Sequence, residues 1–122
     1  MKELLIITNI KKTYIFFDKL LINFPTRELE IKQKIKELIY ELLEFAYKAN
    51  NEERNDRRLY FQSEMITKIK LLDFMINISY DKKAITKKQM LSIGKHLTNI
   101  NILIKAWMKS DEKNKEPISE DK

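Results

Sequence analysis

Only one glycine and two prolines punctuate the 122 residues of this chain. Both types are the usual material of turns and strand punctuation, so their scarcity disfavours a loop-rich β-sandwich and favours a few long elements. Apolar periodicity says which kind. Met90, Ile93, Leu97, Ile100, Ile104 and Trp107 recur with steps of 3, 4, 3, 4 and 3, a heptad seam along one side of an α-helix. Its start is written in Thr86-x-x-Gln89. The Thr86 hydroxyl can accept the N–H of Gln89 while the Gln89 side chain reaches back, and Ile85 and Met90 are spaced as a hydrophobic staple.

Three further stripes precede this one. Leu4, Ile7, Ile10, Tyr14, Phe17 and Leu21 form the first, which ends at Phe24-Pro25, where proline disfavours helix in the residue before it. Ile31, Ile35, Leu38, Leu42, Phe45 and Ala49 form the second, over about residues 27–50, with Thr26 as its expected cap and Glu28 and Glu30 suited to the positive end of the helix dipole. Phe61, Met65, Ile69, Leu72 and Ile76 form the third, which fades at Ser79-Tyr80-Asp81. Four helices of about 20–25 residues, each roughly 30–37 Å long and joined by short connections, predict an all-α fold: an antiparallel up-down-up-down four-helix bundle over residues 1–110. Beyond Ser110 the apolar period stops, and residues 111–122 are expected to be a disordered charged tail.

With 43% hydrophobic and 34% charged residues, the chain can bury a core of its own. It has no cysteine, which excludes disulfides, thiolate zinc sites and a cysteine nucleophile. The longest apolar runs, Leu4 to Ile7 and Tyr14 to Phe17, fall far short of the roughly 20 residues that span a bilayer. No small-residue cleavage site follows the first, so the chain is read as cytoplasmic, unprocessed and without a membrane partner. Apolar residues nevertheless exceed the needs of one core. Leu5, Ile6, Ile15, Phe16, Leu20 and Ile22 on the first helix, and Leu91, Ile102, Leu103 and Met108 on the fourth, lie outside the narrow stripes. Some widen the core face, and the rest point to self-association, because large apolar patches are rare on monomers.

Reactive groups are sparse. A di-iron centre of the kind bundles house needs a pair of Glu-x-x-His motifs, and this chain has a single histidine, His96. His96 is followed by Leu97-Thr98-Asn99 rather than the close Lys and Gly of histidine phosphotransfer domains. The Arg-x-x-x-x-His pattern of the helical HEPN ribonucleases is missing too, since Leu91 stands five residues earlier. Acid pairs such as Glu37-Glu41 and Glu41-Glu44 are interleaved with Lys32, Lys34, Lys36 and Lys48, the ordinary pattern of a solvated helix face. No glycine-rich phosphate loop exists. The expectation is a protein that is not an enzyme and carries no metal or cofactor.

Charge is the remaining signal. The chain has 24 bases against 18 acids, a formal net charge of +6. A positive field attracts polyanions, of which nucleic acid is the commonest in a cytosol, although an AT-rich genome would write the same lysine, isoleucine and asparagine into any protein. The bases gather in two places: Arg54, Arg57 and Arg58 at the start of the third helix, and Lys82, Lys83, Lys87 and Lys88 around the joint into the fourth. Lys32 with Lys36, and Lys88 with Lys95, make additional stripes. These are the candidate phosphate contacts. A symmetric oligomer would multiply each patch by its number of subunits.

The ordered motifs resemble a known family. Lys12-Thr13-Tyr14, Phe24-Pro25, Glu41-Leu42-Leu43, Ile85-Thr86-x-x-Gln89 and Ala106-Trp107-x-Lys109 follow, over residues 8–110, the order and spacing of small bacterial four-helix-bundle proteins. These are the accessory variability determinants of diversity-generating retroelements and the proteins encoded in ribosomal RNA intervening sequences. The resemblance implies a homopentameric barrel with a basic surface. It also implies largely sequence-nonspecific binding of RNA and DNA, and partnership with a reverse transcriptase in mutagenic retrohoming. This chain departs from the pattern at Lys105-Ala106, where family members commonly carry two glycines before the tryptophan. A ribosomal RNA intervening-sequence bundle, or a purely structural protein-protein scaffold, is the alternative.

Overall fold

The computed structural model describes residues 4–120, with side chains for residues 4–113. It is all helical among the described residues: α1 (Leu5–Ile22), a single 3₁₀ turn (Thr26–Glu28), α2 (Leu29–Asn51), α3 (Asn55–Asp81) and α4 (Lys87–Glu120). Each helix packs on its neighbours in sequence, and α1 closes the ring against α4. Cross-helix pairs fix the antiparallel sense. Lys11 of α1 lies over Tyr47 of α2, Glu41 of α2 meets Lys68 of α3, Arg58 of α3 meets Asp111 of α4, and the Phe16 ring of α1 rests on His96 of α4.

The periodic stripes are the core. Ile7, Ile10, Phe17, Leu21, Ile35, Leu38, Leu42, Met65, Leu72, Ile76, Ile93, Leu97, Ile100 and Ile104 are all buried. Each such side chain withdraws enough apolar surface from water to contribute about 1.5–3 kcal/mol. Tyr14 is an exception. It stands 42% exposed, and Thr13 takes the inward place instead. Thr13 fits because its hydroxyl donates to the carbonyl of Asn9 at 2.9 Å, which hides the polar atom within its own helix. Ser79 does the same with the Met75 carbonyl at 2.8 Å.

The structure sorts the surplus apolar residues. Ile6 and Leu20 widen the core, Phe16, Leu103 and Met108 pack against its edge, and Leu5, Ile15, Ile22, Leu91 and Ile102 face outward. Helix α3 adds Tyr60, Leu71 and Phe74 to the exposed set, so it is apolar on two sides.

Helix termini follow the sequence in one place and depart from it in two. Thr86 and Gln89 form the reciprocal capping box, with the Thr86 N–H donating to Gln89 Oε1 at 2.8 Å and the Gln89 N–H donating to Thr86 Oγ1 at 3.1 Å. Thr26 does not cap α2. It opens the 3₁₀ turn, and α2 begins three residues later with no side-chain cap. The expected boundary at Ser110 falls inside α4, because Asp111 is drawn onto α3 by Arg58 and Gln62. The tail residues from Asn114 on lie outside the described side chains, and residues 121–122 outside the described chain.

Two substitutions test this account. Thr86→Ala removes half of the capping box and should lower unfolding free energy by about 1 kcal/mol. Gly94 sits in mid-helix with nothing within 4 Å of where a Cβ would be, so Gly94→Ala should raise it by about 0.5–1 kcal/mol. Urea unfolding followed by circular dichroism measures both.

Candidate nucleic-acid interface

The connections before α2 and before α4 lie side by side at one end of the bundle, held by Arg27 Nη2 donating to the carbonyl of Lys82 at 3.1 Å. Glu28 sits between two cations there, with Arg27 Nε at 3.4 Å and Lys82 Nζ at 3.9 Å, and its carboxylate is largely shielded from solvent. Around this pair stand Lys83, Lys87 and Lys88, all exposed and in no ion pair among the described residues, and the exposed Asp81. Lys87 and Lys88 occupy the first turn of α4, which carries no acid. The dipole of a helix favours negative charge at that place, so two ammonium groups there leave a doubly positive end.

Lys83 holds the only positive φ outside glycine among the described residues, at 61°. The reason is the way α3 stops. The Ala84 N–H donates to the Ser79 carbonyl at 2.8 Å and the Lys83 N–H to that of Tyr80 at 2.9 Å. That pairing requires a left-handed residue between helix and connection, a place glycine usually fills.

The arginine cluster is elsewhere. Arg54 and Lys82 flank the 27 residues of α3, so the two sequence-predicted clusters sit about 40 Å apart at opposite ends of the bundle. The arginines are also engaged. Arg54 Nη2 lies 3.0 Å from Asp56 Oδ2, Arg57 Nε 3.3 Å from Glu52 Oε1, and Arg58 Nε 3.1 Å from Asp111 Oδ2. Desolvation raises the Asp56 pKa, but the Arg54 charge and hydrogen bonds from Arg54 and from the Arg57 backbone outweigh it and leave the carboxyl below its ordinary value.

Arg58 has a structural task. It lies against the Trp107 ring, 6.0 Å from the centroid. Its Nε makes no directed hydrogen bond, so its hold on Asp111 is electrostatic. The same Asp111 oxygen accepts Gln62 Nε2 at 2.9 Å, and Gln62 is buried. Together they fasten α4 to α3 beside a groove of about 570 Å³ floored by Leu59, Ile66 and Met108.

The remaining candidates are dispersed. Lys32 and Lys36 lie on the first turns of α2 after the cationic end, and Lys95 lies two turns along α4 from Lys88. Nearby, the Lys34 side chain donates to Glu37 at 2.9 Å, which raises the lysine pKa and lowers that of the glutamate. Sequence reasoning missed Arg27. Its signal was the even number of helices between the two connections, which brings residues 27 and 82 to one end.

His96 is half-buried with its ring 4.8 Å from that of Phe16. Among the described residues no group of three His, Asp or Glu is placed to hold a metal ion, and no helix is long and apolar enough to cross a membrane. In comparison with known proteins, the chain matches no family model and no curated protein.

The pairing at the arginine end generates a stability contrast. Asp111→Ala leaves the buried Gln62 amide without its acceptor and Arg58 without its counter-charge, and should cost about 1–3 kcal/mol in denaturant unfolding. Arg54→Gln breaks a solvent-exposed pair and should change stability by less than about 0.5 kcal/mol.

Proposed function

We propose that this chain is a non-catalytic nucleic-acid-binding protein that works as a homo-oligomer. In the manner the family resemblance implies, it would accompany a reverse transcriptase in a diversity-generating retroelement and hold template RNA and complementary DNA. The observation that carries this reading is the cationic end. Arg27, Lys82, Lys83, Lys87 and Lys88 share it with Glu28 and Asp81, and the dipole of α4 adds to their field. Such a surface neutralises phosphates and releases their counterions without reading sequence. Self-association is supported by the outward Leu5, Ile15, Ile22, Leu91 and Ile102, together with Leu71 and Phe74. A five-membered ring, as the resemblance implies, would repeat the cationic end five times.

The same apolar residues favour a second reading, a scaffold that binds only protein. Salt titration separates the two. RNA affinity should fall steeply between about 50 and 200 mM salt, and replacing Lys82, Lys83, Lys87 and Lys88 by Gln should reduce the slope of log K against log salt by about 3–4. Replacing Arg54 and Arg57 should change the slope by less, since both are already paired. No RNA binding at low salt, with subunit association intact by light scattering, would leave the scaffold.

A further inference from the structure

Three exposed tyrosines share one outer face of the bundle with three lysines. On α2, Lys36, Tyr40, Leu43 and Tyr47 follow one another at steps of 4, 3 and 4, a second stripe on a different side from the buried Ile35, Leu38, Leu42 and Ala49. Lys32 continues it by one turn. On α1, Tyr14 stands one turn beyond Lys11, whose Nζ lies 5.7 Å from the centre of the Tyr47 ring. The α1–α2 edge therefore carries rings and ammonium groups in alternation. Tyr40 is 65% exposed, Tyr14 42% and Tyr47 38%.

These three rings stand outside the buried core. Their spacing has another use. Tyr40 and Tyr47 are separated by about 10.5 Å along the helix, which leaves room for a short run of nucleotides between the two rings. Tyr14, one turn from Lys11 on the neighbouring helix, stands between their levels. Planar side chains interleaved with cations are what a single-stranded nucleic acid recognises, because bases stack on the rings while phosphates meet the lysines. The exposed acids beside this stripe are Asp18, one turn beyond Tyr14 on α1, and Glu37 and Glu44, which flank Tyr40 on α2 and are paired with Lys34 and Lys48.

The apolar side chains that suit subunit contact are aliphatic or phenylalanine: Leu5, Ile15 and Ile22 on α1, Leu71 and Phe74 on α3, and Leu91 and Ile102 on α4. The α2 stripe is of another kind, with Tyr40 and Tyr47 following Lys32 and Lys36.

We infer that the α1–α2 edge is a binding track for single-stranded nucleic acid, in which Tyr14, Tyr40 and Tyr47 stack bases and Lys11, Lys32 and Lys36 hold phosphates. The inference rests on the nucleic-acid-binding reading above and adds to it a preference for unpaired bases. The lysine end alone would not supply that preference, since phosphates are present in every polynucleotide.

The test uses the full chain and fluorescence anisotropy with two labelled strands of about 16 nucleotides, one oligothymidine and one of abasic sites throughout, at matched salt. The wild-type protein should bind the thymidine strand at least about a hundredfold more tightly, the product of three base–aromatic stacks at about fivefold or more each. Tyr40→Ala should remove at least about fivefold in affinity for the thymidine strand while leaving the abasic affinity and its salt slope unchanged. Equal wild-type affinity for the two strands would overturn the track and leave the cationic end standing. Absence of binding to either strand would overturn both. Tyrosine substitutions that lower the oligomer mass by light scattering, without changing strand preference, would assign the face to subunit contact and end the proposal.

Discussion

Everything in this bundle depends on one constraint: four amphipathic stripes can be dried only against one another. No helix could keep its isoleucines and leucines out of water alone, and most of a helix's stability in a protein comes from packing its amphipathic face. The ring arrangement solves this with short connections and leaves no helix in the centre. Each helix therefore has an outer side that the core does not determine. What the protein does must be written on those outer sides and at the two ends.

The outer sides are not alike. On α3 and α4 they carry Leu71, Phe74, Leu91 and Ile102, and on α1 Leu5, Ile15 and Ile22. Where α1 meets α2, tyrosines alternate with lysines. The ends differ as well. Basic residues occur at both, but at one they are clamped by Glu52, Asp56 and Asp111, and at the other Lys83, Lys87 and Lys88 stand in no ion pair among the described residues. A count of lysines and arginines would rank the ends alike. Their electrostatics differ because a guanidinium beside a carboxylate presents little field to an approaching phosphate.

Much of the fold was legible because heptad spacing is a local property. The stripe on α4 and its Thr86–Gln89 box could be read from neighbours in sequence and formed as expected. What could not be read locally was decided by competition. Thr13 displaced Tyr14 from the core because a threonine hydroxyl can be satisfied within its own helix, whereas a tyrosine hydroxyl needs a partner at the far tip of a large ring. The boundary at Ser110 moved because Asp111 found Arg58 and Gln62, residues about fifty positions away. The two basic clusters are close in the list of residues yet far apart in space, since a long helix carries one away from the other. The tyrosine face escaped sequence reading for a related reason. Its members come from two helices, and the approach of Lys11 to Tyr47 joins them.

The ring is closed by its first and last helices, and that has a consequence for how the molecule opens. Three of its four helix–helix contacts join segments adjacent in the chain, whereas the α1–α4 contact must gather ends separated by nearly the whole sequence. That contact carries the largest loop-closure entropy. Helix α1 is also the shortest of the four, at 18 residues, and its first turn has no side-chain cap. Local unfolding is accordingly expected to begin at α1, with amide exchange there running ahead of exchange in the α2–α3 pair.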